Sequence, residues 1–457
     1  METFEAPSTR QQTAKTLHRV TRPRRAVVLA AGRSERMHPL TAGDSKAQLR
    51  LGGVSLVERA VQRLLSLGIE DVTVVVGARS TSVQESLSRI TSDRVRTVFA
   101  ERWIDGNGAS LAAAEPELID DPLFVVMAAD HVFSDGALDE LVSASEPAVL
   151  IDVNPDEAVW SEGTRVRIVE GNAVAFSKQI DEPTVDCGVF TLTPAIFEAQ
   201  RRAAATGDGS LAGALSHFAR EHPLGALPLP AGAWWHDVDV PDDVRAAQRS
   251  LRHSLGKESD GPISRTLNRP VSTRVSMALS RFRLSPTLMS VVSFLVAAVA
   301  GILLAFGEGV AGGILVQLGS IGDGVDGELA RLQYRATAWG ALIDGVLDRL
   351  GDGIAVAGLA IWAVRDGSVS DMWVVLLAVA ATVGSVLSMA SKDRMRALGL
   401  PEAREDRLGL LLGGRDARLL LISIAAVVGA PVAGLIAVIA TTTVTLVVRL
   451  ISVARPS

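Results

Sequence analysis

The chain has 457 residues, enough for two or three domains with separate cores, and carries 45 Lys+Arg against 51 Asp+Glu. Residues 1–261 hold 27 basic and 37 acidic side chains and residues 262–457 hold 18 and 14, so an acidic half precedes a basic one, and only the second is dominated by apolar runs. The single cysteine, Cys187, excludes an internal disulfide, and no nucleic-acid partner is expected.

Residues 1–24 are polar, without an apolar stretch of secretory-signal length, and are expected to form a flexible tail. From Arg25 the run AVVLAAG gives a short strand, a polar loop follows, and VSLVERAVQRLLSLG repeats its apolar positions at helical spacing. DVTVVVGA and PLFVVMAAD are continuous apolar strands that end at a polar switch, the pattern of parallel strands covered on both faces. Residues 25–254 are therefore expected to fold as a Rossmann-like α/β domain with a mostly parallel sheet, closing with a strand and a helix in WWHDVDVPDDVRAAQRSL. Residues 255–284 read as a linker, GKESDGP, and a basic amphipathic helix on the membrane surface.

Residues 285–457 contain six apolar stretches, at 285–306, 309–330, 337–363, 372–391, 416–430 and 432–450, which predict an all-α six-helix transmembrane domain. With a cytoplasmic amino terminus, the inside segments hold Arg331, Arg335, Lys392, Arg394, Arg396, Arg404, Arg407, Arg415 and Arg418. The outside segments offer only Arg365, as the positive-inside rule requires.

Chemistry concentrates where the second stretch meets the third. Asp323 and Asp326 stand at i,i+3 and Asp344 and Asp348 at i,i+4, so each pair shares a helix face and two facing helices would present four carboxylates to one point. Ionisable groups in membrane segments are costly, and four together repel one another without cations between them. Oxygen-only ligands favour Mg²⁺ or Mn²⁺, and two ions about 4 Å apart would clamp both oxygens of a phosphoryl displacement. The weaker alternative pairs the aspartates with Arg331, Arg335 and Arg349 at a wet helix end.

Together with Gly327, Ala330, Arg331 and Gly340, this spacing resembles the signature of the CDP-alcohol phosphotransferase family without a departure. The resemblance implies that Asp323, Asp326, Asp344 and Asp348 hold two metals over a CDP diphosphate. It also implies Gly327 and Gly340 at the nucleotide, Arg331 at phosphate and Asp348 as general base. SKDRMRA and GGRDAR supply Lys392, Arg394, Arg396, Arg415 and Arg418, and in a chain of five lysines and forty arginines Lys392 is unusual. Lys392, Arg415 and Arg418 suit a phosphorylated acceptor, with anionic lipid as the alternative partner.

In the first half, a glycine-bearing loop between strand and helix offers N–H groups to phosphates, with Arg36 and Lys46 as cationic support. Asp130 and Asp237 both follow apolar strands and are expected to meet at one Mg²⁺ on a triphosphate; two unconnected aspartates are the alternative. Over about residues 25–250 the order of these features resembles the sugar-phosphate nucleotidyltransferases. That resemblance implies Ala30, Gly32, Arg36 and Lys46 at the triphosphate, Gly108 at the base, and Lys178 and Asp186 at the sugar-like substrate. Ser34 replaces a usual glycine, Ser45 and Ala47 flank the lysine where a proline is common, and Ala129 precedes the aspartate.

The fusion of the two halves, with GNGASL, ADHVFSDG, GGRDAR and the basic junction, resembles the bifunctional inositol-1-phosphate cytidylyltransferase and di-inositol phosphate phosphate synthases along nearly the whole chain. It implies that CTP and inositol-1-phosphate give CDP-inositol, whose phosphoinositol group passes to a second inositol-1-phosphate with release of CMP. It further implies a multi-pass inner-membrane protein, the nucleotidyltransferase half cytoplasmic, paired as a homodimer through its membrane helices. A different phospho-alcohol or a lipid acceptor is the first rival, and a regulatory nucleotide-binding module on a headgroup transferase the second.

Overall fold

The computed structural model describes residues 22–32, 34–90, 92–256, 260–400 and 414–454, so most of the expected tail, together with Arg404 and Arg407, lies outside the described residues. Its contacts divide into two units, 22–48 with 56–239 and 49–55 with 240–454.

In the first unit a nine-stranded sheet runs in the spatial order 95–99, 71–76, 25–30, 124–128, 185–192, 148–152, 225–228, 172–177, 165–169. The first four strands are parallel, Val27 lying between Thr73 and Val126. The inner three are mostly apolar because both faces are covered: Ala26, Val28 and Ala30 point into one core and Val27 into the other, while the edge strand 95–99 exposes Arg96 and Thr97. The remaining five form a mixed half, in which 185–192 runs antiparallel to both neighbours and 225–228 parallel to 148–152. Beyond the sheet, His131–Phe133 pairs with Trp235–Asp237 in a two-stranded ribbon that sets His131 opposite Asp237.

The second unit contains long helices at Pro286–Ala305, Gly309–Leu332, Ala338–Asp366, Asp371–Ala397 and Pro431–Ala454, and a shorter one at Arg415–Val427. A helix stands at each of the six expected stretches, but among the described residues only Pro286–Ala305, Asp371–Ala397 and Pro431–Val453 are long and apolar enough to cross a membrane by length and composition. Gly309–Leu332 and Ala338–Asp366 are long enough but carry the motif's aspartates. Arg415–Val427 is 13 residues, or about 20 Å at 1.5 Å per residue, short of a hydrocarbon core of about 30 Å. Its first turn is given over to Arg415, Asp416 and Arg418, which is why the apolar part falls short.

The junction forms a π-turn, Ser264–Asn268, and the helix Arg269–Ser280. The face that it buries is polar. Ser272 and Ser276 donate to Glu328 at 2.7 and 2.6 Å, and Arg269 Nη1 donates to the same carboxylate at 2.6 Å while its Nε reaches Asp260 at 2.7 Å. Glu328 belongs to the motif helix and is 0% exposed, a buried charge kept by one guanidinium and two hydroxyls. Leu267, Val271 and Val275, spaced by four, are exposed, as is Phe282.

Candidate functional site

In the first unit a cleft of about 760 Å³ opens where the parallel strands end. Ala30, Gly32, Arg36, Lys46, Asp130, Lys178, Asp186 and Asp237 all line it, so the strand–loop chemistry converges as expected. Gly108 does not. A Cβ there would sit 2.4 Å from the Gly209 carbonyl, so this glycine serves backbone packing, and Gly106 and Asn107 line the cleft instead.

The turn at Ala129–Asp130 releases the chain from the sheet edge and the ribbon brings Asp237 back to it. His131 Nδ1 lies 2.7 Å from Asp130 and 3.9 Å from Asp237 Oδ1. One ligand atom from each of Asp130, His131 and Asp237 falls within 4.8 Å of the others. Asp237 Oδ1 is buried without a hydrogen-bond partner, an oxygen that a divalent cation would satisfy. Burial pushes the Asp237 carboxyl up to about 6 although His131 opposes it, and Asp130 adds to the rise. Burial also opposes charge on His131, but Asp237 and Asp130 outweigh it and raise the imidazole to about 9.

Lys46 is ion-paired with Asp130 and Asp239. Burial acts against its ammonium, yet Asp130, Asp237 and Asp239 hold its pKa well above the ordinary lysine range. Its backbone N–H donates to the Ser34 hydroxyl at 2.8 Å, so the serine that departs from the family's glycine fastens the loop onto the lysine; Ser34 has φ +60°. Arg36 bridges Asp239 at 2.6 Å and Glu162 at 2.8 Å. At the far end, Asp186 accepts the Gly188 N–H at 2.9 Å, and burial lifts its carboxyl to about 6. Gly188 has φ +70°, and a Cβ there would lie 2.5 Å from the His131 ring.

In the second unit Asp323, Asp344 and Asp348 each place one oxygen within 4.8 Å of the other two, from two helices. Asp326 is not in that trio. It accepts from the Ser290 hydroxyl and from the Gly327 N–H. An all-carboxylate donor set of this closeness fits hard divalent cations. The weaker alternative for these aspartates is set aside: Arg331 donates to the Leu255 carbonyl, Arg335 to the Arg283 carbonyl and Arg349 to the Gly345 carbonyl and Asp393.

The cation against the cluster is Arg415, expected at the acceptor. Its Nη1 lies 2.8 Å from Asp323 and 3.1 Å from Asp348, and its Nε lies 2.9 Å from Asp352. Arg418 is buried, with Nη1 on the Ser388 hydroxyl at 3.3 Å and Nη2 without a partner. Arg449, from the last helix, reaches the Ser388 carbonyl and the Ser391 hydroxyl, and Lys392 follows Ser391 on the Asp371–Ala397 helix. Arg331 keeps a buried Nε with no hydrogen-bond partner, and the Gly340 N–H is taken by the Thr337 cap at 3.0 Å. Sequence reasoning missed His131, Asp239, Asp352 and Arg449. The only advance signal was spacing: Asp239 stands two residues from Asp237, and Asp352 four from Asp348.

Residues 26–228 match the MobA-like NTP transferase domain family and residues 283–448 the CDP-alcohol phosphatidyltransferase family. A protein of Rubrobacter xylanophilus named bifunctional IPC transferase and DIPP synthase is 34% identical over 90% of this chain and 92% of its own. A protein of the same name from Aquifex aeolicus is 30% identical over 88% and 92%. A solved structure of the inositol-1-phosphate CTP transferase from T. maritima is 23% identical, covering 50% of this chain and 96% of its own at a TM-score of 0.44.

Proposed function

The chain belongs to the family of bifunctional IPC transferases and DIPP synthases, and from that premise we propose how its two sites divide the work. In the first step the phosphate of inositol-1-phosphate attacks the α-phosphorus of CTP, giving CDP-inositol and pyrophosphate. Lys46 and Arg36, held at the cleft by Asp130, Asp239 and Glu162, address the triphosphate, while Lys178 and Asp186 address the alcohol. In the second, a hydroxyl of another inositol-1-phosphate attacks the β-phosphorus of CDP-inositol, its proton passes to Asp348, and CMP leaves as the new phosphodiester forms. Lys392, Arg415, Arg418 and Arg449 address the phosphates, the first and the last two standing nearer the acceptor.

Mg²⁺ or Mn²⁺, one between Asp130 and Asp237 and two among Asp323, Asp326, Asp344 and Asp348, would neutralise phosphate charge in each step when bound. Gly327, Gly340 and Arg331 border the nucleotide. The enzyme is a multi-pass protein of the inner membrane with the first unit cytoplasmic, paired as a homodimer through its membrane helices. The exposed stripe of Leu267, Val271 and Val275 suits a helix lying on the membrane surface.

The observation that carries this assignment is the convergence of Asp323, Asp344 and Asp348 from two helices. Membranes holding the full chain are fed CTP with a panel of phosphorylated alcohols, and pyrophosphate and CMP are followed separately. Inositol-1-phosphate is expected to release both. Pyrophosphate without CMP at excess inositol-1-phosphate overturns the transfer step, and a faster second alcohol overturns the substrate assignment.

A further inference from the structure

We propose that Asp352, which lies outside the eight-residue signature, is a positioning residue that aims Arg415 at the transferred phosphoryl group. Asp352 stands four residues beyond Asp348 on the Ala338–Asp366 helix, hence on the same face, and is 9% exposed. Its carboxylate takes Arg415 Nε at 2.9 Å. A guanidinium is a rigid planar fork, so fixing one edge fixes the direction of the other.

That other edge points at the reaction centre. Nη1 stands 2.8 Å from Asp323 and 3.1 Å from Asp348, yet it is buried and in hydrogen-bond geometry with neither. It is therefore a fixed, desolvated cation, ion-paired but not hydrogen-bonded, beside the carboxylates proposed to hold the metals over the CDP diphosphate. The backbone under Arg415 is fixed as well. Ser320 donates to Asp416 at 2.9 Å and receives from the Asn268 amide at 3.0 Å, tying the first turn of the Arg415–Val427 helix to the motif helix. The guanidinium is thus held by Asp352, and the turn that carries it by Asp416 through Ser320. A donor held in advance, aimed at oxygens that gain charge during transfer, lowers the barrier without reorganisation.

This inference rests on the transfer step proposed above. The test uses the full-length enzyme in detergent, supplied with CDP-inositol and inositol-1-phosphate so that CMP release reports only the second site. Asp352→Asn is expected to lower kcat about 30-fold or more, the scale of losing one oriented donor, while KM for CDP-inositol moves by less than about threefold. Pyrophosphate release from CTP should be unchanged. Arg415→Ala is expected to cost at least as much, and Asp352→Asn combined with Arg415→Ala no more than Arg415→Ala alone, since residues acting as one unit do not add. A wild-type rate for Asp352→Asn overturns the proposal, as does a further loss on adding Asp352→Asn to Arg415→Ala. A changed Mg²⁺ requirement in the Arg415→Ala background would make Asp352 a metal ligand and also overturn it. No CMP from the wild type with any CDP-alcohol would instead sink the transfer step itself.

Discussion

Each half of the chain gathers acidic side chains at one point and sets a basic side chain against them, but the two are assembled by opposite means. In the first unit Asp130 and Asp237 come from segments more than a hundred residues apart and meet because a two-stranded ribbon folds the second onto the first. In the second, Asp323 comes from one helix and Asp344 and Asp348 from the next, where helical periodicity puts the latter pair on one face and packing brings Asp323 to it. The partner cations are remote in both: Lys46, on the short turn Lys46–Gln48, precedes Asp130 by 84 residues (130 − 46), and Arg415 follows Asp348 by 67 (415 − 348). A site written in local periodicity is compact in sequence and a site built on a sheet edge is spread across it, yet both take their counter-charge from afar.

The sharpest way to break this comparison is to disable one cluster and watch the other step. Asp344→Ala should lower CMP release about a thousandfold, since a charge-neutralising site is lost, with pyrophosphate release within about twofold of wild type. Phosphorus NMR of the two products separates them. Asp130→Ala should do the converse by about a hundredfold or more, leaving CMP release from supplied CDP-inositol intact. If either substitution silenced both steps, the two clusters would not be independent.

Smaller effects sharpen it. Gly188→Ala combines a left-handed backbone with a Cβ 2.5 Å from the His131 ring. It should destabilise the first unit by about 2 kcal/mol, a fall in Tm of about 6 °C by differential scanning fluorimetry, without touching the membrane helices. On the same scale, pH should act through Asp186. Its carboxyl is raised to about 6 in the fold, so the stability it lends is fully present below its unfolded value and lost as pH rises through 6. The unfolding free energy of wild type should fall relative to Asp186→Asn by about 1.4 kcal/mol per pH unit as pH rises from about 4 to 6, measured by urea titration.

The same contrast explains what the sequence could and could not tell. Four aspartates at helical spacing announce themselves, and buried parallel strands read as unbroken apolar runs. His131 was invisible because alternation along a strand would turn it away from Asp130; the turn at Ala129–Asp130 cancels that rule. Asp352 shares the face of Asp348, but its partner Arg415 lies 63 residues on, and no spacing rule reaches across helices. Gly108 lies under a crossing carbonyl, and a glycine there and a glycine next to a nucleotide look alike in sequence. The expected fifth span ended as a short helix because its first turn was spent on charge.

The buried Glu328 bears on where the second half can be cut. Its counter-ion, Arg269, and the two hydroxyls that share it come from the junction, and Arg269 is itself steadied by Asp260. A protein severed just before Pro286 would keep every transmembrane helix and every aspartate of the signature, yet strand a carboxylate inside the bundle at a cost of about 3–5 kcal/mol. A self-standing transferase fragment has to start no later than Asp260.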